Sequence, residues 1–397
     1  MKAETSSRAP RVALLVETAR SYGRGVLRGV ARYSRLYGPW HFHMSPGDFV
    51  QSLPNRRDWR GDGVIARTLD VASAEAVLEL GLPTVFLDFS VDQLASSKYS
   101  TDFCIDLTSD SVGAAQMAVN LLYDKGLTQF AYAGYPYESW SIKRERAFVA
   151  AVKERGYEAY VYEPPRRAGR AVRLEKEEPY LIEWLKSLPK PIGLMACNDQ
   201  RGREALDACE AAGLLVPEHI AVVGVDADDV LCELCSPPLS SVALNAEKGG
   251  FLAAQALDDM MRGVVPKVRH ILVEPVNVVE RRSSNIILTD DPDVSAALQI
   301  IHTARLESLT VDRIAREIAT SRRALEIKFR RTLGRTILEE IKTVRMERAK
   351  QALRETDATL DQVAKMVGFR ATSYFIQSFR KTVGMTPFRY RRNVRYH

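Results

Sequence analysis

Polar side chains follow several short apolar runs in the first part of the chain, where the ends of β-strands are expected. Asp88, Asn198, Asp199 and Asp226 are in such positions, as are Glu17 and Arg20. Carboxylates and amides accept and donate hydrogen bonds to the hydroxyl groups of a small molecule. Trp140 could stack on the apolar side of a sugar ring, and Arg144 could add a charged donor. An Asp or Asn in such a position caps a helix equally well, so Asn198 and Asp199 retain that alternative.

A second set of residues repeats near the end of the chain. Segments 309–334 and 359–384 each contain apolar residues at helical spacing, then a tight turn, and then a second helical stretch rich in Arg and Lys. Two helix-turn-helix units in tandem can each place one helix in a major groove of DNA. The alternative is that two ordinary helical hairpins form a protein interface.

The outward positions of each second helix are the predicted contacts with DNA. Arg322 and Arg323 could bond guanine, Glu326 a cytosine amine and Gln377 an adenine, whereas arginines near the helix ends would hold phosphates. Each of these side chains could instead contact a phosphate or water. The predicted DNA-binding residues are Arg322, Arg323, Glu326, Ile327, Arg330, Thr372, Ser373, Tyr374, Gln377, Arg380 and Lys381.

Residues 337–354 connect the two copies, and they have apolar residues at helical spacing and contain neither Pro nor Gly. A helix of about eighteen residues is roughly 27 Å long. That length suits two reading helices about one DNA turn, roughly 34 Å, apart. We therefore expect one module that spans two consecutive segments of the major groove.

The elements that precede this module alternate between strand and helix over about 280 residues. Such alternation predicts parallel sheets with helices on both faces. One sheet rarely takes so many units, so we expect two similar lobes with a ligand cleft at the carboxyl ends of their strands. The predicted strands are 12–16, 63–66, 84–87, 129–133, 159–162, 193–196 and 221–225, with a last strand in 274–284. The predicted helices are 21–37, 72–80, 111–125, 144–155, 178–188 and 201–212.

The pattern breaks at Thr289-Asp290-Asp291-Pro292-Asp293, and a helix is expected near 294–304. We predict a disordered tail over 1–10, a two-lobed effector-binding and dimerisation domain over 11–285, a linker over 286–293 and an all-α domain over 294–397. The fold class is thus α/β and two-lobed, with parallel sheets and helices on both faces, followed by a helical domain with two helix-turn-helix motifs.

Charge follows the same division. Of the 397 residues, 286–397 contain 22 Lys and Arg against 13 Asp and Glu, which leaves the rest of the chain slightly acidic. A basic excess confined to one part is expected of a module that meets phosphates, although a solvated basic face has the same composition.

Several function classes are disfavoured. The five cysteines lack paired metal-ligand spacing, and the chain has neither a glycine-rich phosphate loop nor a nucleophile elbow, so we expect no metal, no cofactor and no enzyme activity. The apolar run at 12–16 is too short for a signal peptide or a membrane span. We expect a reduced, cytoplasmic protein without a membrane partner.

The C-terminal hundred residues resemble the AraC-type DNA-binding family. The resemblance is carried by Ala315, Ser321-Arg322-Arg323-x-Leu325-x-x-x-Phe329, Val363-Ala364, Val367-Gly368-Phe369, Ser373-Tyr374-Phe375, Phe379-Arg380-Lys381 and Gly384-Met385-Thr386-Pro387-x-x-Tyr390-Arg391. It implies transcription activation, often of genes for sugar use.

Segments 195–199, 221–228, 239–242 and 280–284 resemble the effector domain of LacI/GalR regulators and periplasmic sugar-binding proteins. That resemblance implies a two-lobed fold like that of periplasmic binding proteins, and it implies that Asp199 and Asp226 bind sugar hydroxyls. The chain departs from LacI-type regulators because no helix-turn-helix pattern precedes Val12.

The combination resembles the xylose-operon regulators, with Asp62-Gly63-Val64-Ile65-Ala66 and Tyr22-x-Arg24-x-Val26-x-x-Gly29-Val30 in support. It implies D-xylose as effector and promoter DNA as target. The predicted ligand-binding residues are Tyr22, Arg24, Asp88, Trp140, Arg144, Asn198, Asp199 and Asp226.

We therefore expect a sequence-specific transcription activator of sugar-use genes that binds a monosaccharide between its lobes. The expected partners are double-stranded promoter DNA, D-xylose, RNA polymerase and a second copy of the chain. The alternative is a constitutive DNA-binding regulator whose N-terminal domain only dimerises or senses a ligand that is not a sugar.

Overall fold

The computed structural model describes residues 8–44, 60–68, 70–164, 177–289 and 291–395. The chain divides into two compact units, Met1–Ile286 and Ile287–His397. Residues 1–7 of the predicted tail, residue 290 of the predicted linker and residues 396–397 lie outside the described residues.

The strands all belong to the first unit in the part of the chain that the structure describes. They are β1 (Arg11–Leu15), β2 (His41–Met44), β3 (Gly63–Arg67), β4 (Thr84–Leu87), β5 (Cys104–Ser109), β6 (Phe130–Ala133), β7 (Ala159–Val161), β8 (Ile192–Ala196), β9 (Ile220–Val225), β10 (Ser240–Leu244), β11 (His270–Val273) and β12 (Pro275–Val279).

The helices of the first unit lie between these strands. They are α1 (Ser21–Tyr37), α2 (Val71–Leu78), α3 (Ser111–Asp124), α4 (Ser139–Glu154), α5 (Glu178–Ser187), α6 (Asp199–Ala211), α7 (Asp229–Leu234) and α8 (Ala246–Met261).

Two sheets form the two lobes of the first unit. The N-terminal lobe has the strand order β11-β5-β4-β3-β1-β2, and the C-terminal lobe has the order β12-β10-β9-β8-β6-β7. Within the described residues, the chain passes from one sheet to the other after Ser109, after Leu244 and after Val273. These adjacent crossings leave the carboxyl ends of both sets of strands facing one cleft.

The apolar runs form strands because both faces of each sheet are covered. Along β1, Val12 and Leu14 enter one hydrophobic cluster, and Ala13 and Leu15 enter another. This alternation buries every second side chain on the same face, so a strand covered on both faces needs a continuous apolar run. Such runs are what the sequence presents at 12–16, 84–87 and 221–225.

The structure differs from the sequence prediction at several elements. The strands β2, β5, β10 and β11 and the helices α7 and α8 were not predicted. All except α8 are only four to six residues long, whereas α8 spans sixteen residues and is capped by Asn245. The pairing of β12 with β10 is antiparallel, so the second sheet is mixed rather than fully parallel. Helix α4 begins at Ser139 and not near Arg144, which brings Trp140 and Arg144 onto one helix.

The second unit is helical throughout its described residues. Its helices are α9 (Pro292–Thr303), α10 (Val311–Glu317), α11 (Arg322–Leu333), α12 (Ile337–Glu355), α13 (Leu360–Met366), α14 (Thr372–Val383) and α15 (Pro387–Arg395). Helix α9 begins within the predicted linker, and Asp291 caps it by accepting hydrogen bonds from Asp293 and Val294.

In each helix-turn-helix pair, apolar side chains at helical spacing face the core. Leu325 and Phe329 of α11 and Phe375 and Phe379 of α14 are fully buried in one shared core. The N-cap Thr359 and Gln362 of α13 satisfy each other's backbone N–H groups in a capping box. The two pairs therefore form one body around the long helix α12.

Candidate ligand cavity and nucleic-acid interface

A cavity lies between the two lobes of the first unit. Its lining residues are Glu17, Arg20, Tyr22, Arg67, Asp88, Ser109, Trp140, Arg144, Asn198 and Asp226.

The parallel sheets bring these residues together. Arg67 and Ser109 end β3 and β5, and Asp88 follows β4, all in the N-terminal lobe. From the other lobe, Asn198 follows β8 and Asp226 follows β9. Carboxyl ends of parallel strands point to the same edge, so the cavity has one wall from each lobe.

Arg67 organises the wall of the N-terminal lobe. Its Nε lies 2.8 Å from Glu17 Oε2, and its Nη1 lies 2.7 Å from Asp88 Oδ2. The guanidinium also covers the ring of Tyr22, with its central carbon 5.2 Å from the ring centroid. Because the Arg67 side chain is only 7% exposed, this arrangement fixes two carboxylates around a buried cation.

Arg144 organises the other wall. It donates to the carbonyl oxygen of Cys197, and its Nη2 donates to Ser109 Oγ at 2.9 Å across the two lobes. Its guanidinium lies 5.7 Å from the ring of Trp140, whose Nε1 donates to Glu138. Trp140 is thereby held with an aromatic face beside charged donors, as required for contact with a sugar ring.

Two of the carboxylate residues have an unusual backbone. Asp88 has a φ of 54° and Asp226 a φ of 102°, both in the region that favours glycine. Such conformations cost about 1–3 kcal/mol and cluster at ligand sites, where surrounding structure holds them. The strain aims both carboxylates from the strand ends toward the cavity.

The electrostatics of the cavity favour a neutral ligand. Three lining residues are acidic and three are basic, so their formal charges balance. Burial raises the pKa of Glu17, an effect that Arg67 opposes. Asp226 is partly exposed, but burial of its carboxyl group raises its pKa too, and Arg144 opposes the shift.

Some polar groups of the cavity are left for a ligand. The Tyr22 hydroxyl and Arg144 Nε are buried and find no hydrogen-bond partner among the described residues. No described residue donates a hydrogen bond to the Asp226 carboxylate. Buried polar groups are normally satisfied, so these atoms mark where a polyhydroxylated molecule would bond.

The cavity contains Tyr22, Asp88, Trp140, Arg144, Asn198 and Asp226 from the predicted ligand set. Asn198 also has the alternative role considered for it, that of a helix cap. Its Oδ1 caps α6 by accepting a hydrogen bond from Arg201 N at 2.9 Å. Its side-chain amide is the group that remains for a ligand.

Arg24 and Asp199 do not line this cavity. They line an adjoining, more open cleft of about 500 Å³. Arg24 pairs with Asp228, whereas the Asp199 carboxylate accepts from Ser241 Oγ and from Asp228 N. Protein donors thus occupy both Asp199 oxygens, and the structure places Asp199 beneath the loop that carries Asp226.

Arg67 and Ser109 line the cavity without having been predicted from the sequence. Arg67 follows the predicted strand 63–66 directly, so inspection of that strand end, like the others, would have found it. Ser109 ends β5, a strand that the apolar pattern did not reveal because Asp106 interrupts it.

The predicted contacts of α11 form an exposed face of the second unit. Arg322, Arg323, Glu326, Ile327 and Arg330 are all exposed. Arg322 is already engaged, with Nε 2.9 Å from Glu326 Oε1 and Nη1 3.1 Å from Asp312 Oδ2. Arg323 makes no ion pair within the described residues and is the freer of the two to reach a base.

The predicted contacts of α14 are exposed in the same way. Ser373, Tyr374 and Gln377 lie near the start of the helix, and Arg380 and Lys381 lie in its last turn. Thr372 is half-buried, and its hydroxyl donates to Asp361 Oδ1 at 2.9 Å. Exposed Ile327 and Tyr374, at 59% and 63%, are unusual on a solvated surface but suit contact with bases.

Other site classes receive no support from the described residues. No group of three or more His, Cys, Asp or Glu among them could hold a metal ion. None of their helices is both long and apolar enough to cross a membrane. The five cysteines are buried and unpaired with one another.

Comparison with known families identifies both units. Residues 11–102 match the XylR N-terminal domain, residues 119–284 a periplasmic binding protein-like domain, and residues 314–393 a helix-turn-helix domain. The chain is 31% identical over 385 residues to the xylose operon regulatory protein of Escherichia coli strain K12, covering 96% of each. The chain belongs to the family of xylose operon regulatory proteins. The members of this family are sugar-responsive transcription regulators that bind DNA.

Further relatives agree with that assignment. The xylose operon regulatory protein of Haemophilus influenzae is 30% identical over 391 residues, covering 96% of this chain and 98% of the relative. A solved structure described as the xylose-binding transcription activator xylR superposes with a TM-score of 0.82 at 29% identity, covering 97% of this chain and 98% of that one.

Proposed function

We propose that the chain activates genes for pentose use when D-xylose occupies the cavity between its lobes. The observation that carries the proposal is the convergence of strained carboxylates, two arginines and Trp140 on one cavity with balanced formal charge. A neutral polyol satisfies such a mixture of donors and acceptors, whereas an anion or a cation would leave part of it unpaired. The names of the full-length relatives support xylose as the ligand.

We propose that Tyr22, Asp88, Trp140, Arg144, Asn198 and Asp226 contact the sugar, together with Glu17 and Arg67. Arg24 and Asp199 act from behind this set by holding the loop at 226–228. Sugar that bridges the two walls would favour the arrangement in which the lobes are closed, because only that arrangement offers all contacts at once.

The second unit would carry the response to DNA. We propose that α11 and α14 enter consecutive major-groove segments of a promoter, that the effector domain over 11–285 dimerises, and that the bound regulator contacts RNA polymerase. Residues 286–293 would link this domain to the DNA-binding domain over 294–397. This role requires no turnover of the sugar and places the protein in the cytoplasm with its promoter.

Titration calorimetry with D-xylose, L-arabinose, D-ribose and D-glucose tests the ligand. We expect heat and one site per chain for D-xylose, with much weaker binding of D-glucose, the hexose of the set. Absence of heat with every sugar would favour the alternative, a constitutive regulator whose N-terminal domain dimerises or senses another ligand. Consumption of the sugar by purified protein would contradict the proposal in favour of an enzyme.

A further inference from the structure

Arg345, in the middle of α12, holds the entrance to the first helix-turn-helix pair. Its Nη2 donates to Leu306 O at 3.1 Å and to Leu309 O at 3.2 Å. Leu309 directly precedes Thr310, the N-cap of α10, and Leu306 lies four residues before it. We call each helix-turn-helix pair a reader, so that α10 and α11 form the first and α13 and α14 the second. The start of the first reader is thereby held against α12.

The same guanidinium contacts the turn of the second pair. Its central carbon lies 5.7 Å from the ring of Phe369, which in turn contacts the rings of Tyr374 and Phe375 at 5.7 and 5.5 Å. Tyr374 and Phe375 belong to the first turn of α14. Arg345 is therefore in contact with both readers.

Gly368 shows how closely the two readers approach each other here. It has a φ of +82°, and a Cβ at this position would lie 2.2 Å from Leu306 O and 2.9 Å from Arg345 Nη2. Only a glycine lets the turn of the second pair lie against the carbonyl that Arg345 binds. Leu306, Arg345, Gly368 and Phe369 thus form one junction, which we call the reader junction.

The environment of Arg345 is costly for a cation. The side chain is half-buried, and burial lowers its pKa. Within the described residues no carboxylate pairs with it, and its Nε is buried without a hydrogen-bond partner. A half-buried charge satisfied only by carbonyl dipoles and an aromatic face contributes little to stability, so stability alone does not account for it.

We propose that Arg345 is a positioning residue that sets the distance and angle between the two reading helices, and so the spacing of the two DNA elements that the module recognises. Tandem readers bind both elements well only if their separation matches the helical repeat of DNA. A junction that holds both pairs supplies that rigidity, since α12 alone fixes only its own ends.

Arg348 provides a matched control on the same helix. It is also half-buried, and it donates to His302 O at 2.7 Å and to Ala304 O at 3.4 Å. Both carbonyls belong to the end of α9, so its contacts do not join the two pairs. Arg345→Met and Arg348→Met remove the same charge from the same helix, and only the first opens the reader junction.

The test measures binding of the full chain to DNA of altered spacing. An operator selected by the wild type from a random pool is synthesised with one or two base pairs inserted between, or deleted from, its two elements. We expect the wild type to lose about tenfold or more in affinity on the altered spacings. Arg345→Met should bind the native spacing about tenfold more weakly and discriminate between spacings by only about twofold to threefold. Arg348→Met should keep the full discrimination of the wild type.

The opposite outcomes are equally clear. If Arg345→Met weakens binding by the same factor on every spacing, or retains the wild-type preference, Arg345 does not set the spacing. Arg345→Lys, which keeps the charge but cannot both bind two carbonyls and cover Phe369, should show an intermediate preference. If Arg345→Met and Arg345→Lys both lose helical circular dichroism, Arg345 serves folding only and the proposal fails.

Discussion

Arg24 Nη2 and Asp228 Oδ2 lie 2.8 Å apart and join the two lobes of the first unit. Arg24 is on α1 of the N-terminal lobe, and Asp228 is the N-cap of α7 in the other lobe. The same carboxylate oxygen accepts from Ser21 N at 3.1 Å, at the start of α1. Asp228 therefore links the loop beside the strained Asp226 directly to the opposite wall of the cleft.

We expect this pair to favour the closed lobes. Arg24→Gln or Asp228→Asn should weaken sugar binding by about fivefold, equivalent to about 1 kcal/mol for a partly exposed ion pair. Asp228→Asn keeps an oxygen to cap α7, so helix stability should change little. Calorimetry on the two single variants and the double variant measures the coupling between the residues.

Arg32 is the control for this prediction. It pairs with Glu247 at 3.5 Å, and both residues lie on helices of the N-terminal lobe. Arg32→Gln should leave the sugar affinity unchanged. Strictly additive effects of the two substitutions at Arg24 and Asp228 would show that their pair does not influence closure.

Asp226 should make the ligand-free protein less stable as the pH rises. Burial raises its pKa in the folded state, so the folded state favours the protonated form. This contribution to stability is fully present below the unfolded pKa of about 4 and is lost as the pH rises through the folded value. Asp226→Asn should therefore have a higher free energy of unfolding than the wild type near pH 8, with a difference that shrinks toward pH 5.

Tryptophan fluorescence during denaturation measures this effect, because all four tryptophans lie before residue 185 and so report on the first unit. The same variant should lose about tenfold to hundredfold in sugar affinity, since a hydrogen bond to a charged group is removed. Asp70→Asn is the control, because hydrogen bonds from Ser73 lower the pKa of Asp70. The contribution of Asp70 to the free energy of unfolding should therefore change with pH in the opposite direction. Parallel pH profiles for Asp226→Asn and the wild type would refute the assignment.

The sequence predicted those features that depend on local pattern. The capped helix after Asp110, the long helix 337–354 and the buried faces of α11 and α14 were all recognisable from periodicity. So was the two-lobed α/β class, because continuous apolar runs mark strands covered on both faces. Six of the predicted ligand residues line one cavity. Asp88, Asn198 and Asp226 do so because they follow such runs, whereas Tyr22 is on α1 and Trp140 and Arg144 are on α4.

What could not be predicted depends on contacts between distant segments. Arg67 bridges Glu17 and Asp88, which are 50 and 21 residues away, and no local pattern marks such a partner. Asp199 has the residue type of a sugar ligand, but Ser241 and the Asp228 N–H occupy its carboxylate. The junction at Arg345 is equally nonlocal, because its partners come from two different helical pairs.

Ala319 and Gly368 occupy equivalent positions in the turns of the two helix-turn-helix pairs. Exchanging alanine and glycine at these positions should change the stability of the second unit in opposite directions. Each is the second residue after the first helix of its pair, with a φ of 54° and 82° respectively. Ala319 is exposed, so Ala319→Gly should relieve backbone strain and stabilise the second unit by about 0.5–1 kcal/mol. Gly368→Ala should destabilise it by more than about 2 kcal/mol, because the new Cβ would also meet Leu306 O.

Hydrogen exchange read by mass spectrometry resolves these changes, since it reports the stability of amides in α10, α11, α13 and α14 separately. Protection should rise around Ala319→Gly and fall around Gly368→Ala. A loss of protection in both variants would mean that the turn of the first pair does not carry the expected strain.

Arg323 and Arg380 should affect DNA binding in different ways. Arg323 is exposed near the start of α11 and makes no ion pair within the described residues, so Arg323→Ala should cost about 1–3 kcal/mol at the preferred base and relax the choice at that position. Arg380 is exposed in the last turn of α14, so Arg380→Ala should weaken all sequences alike and reduce the salt slope by about one. Arg322→Ala should have a smaller effect than Arg323→Ala, because Asp312 and Glu326 already hold Arg322. Binding of a randomised operator pool at two salt concentrations measures all three variants. Identical sequence profiles and salt slopes for Arg323→Ala and Arg380→Ala would refute the division between base reading and phosphate contact.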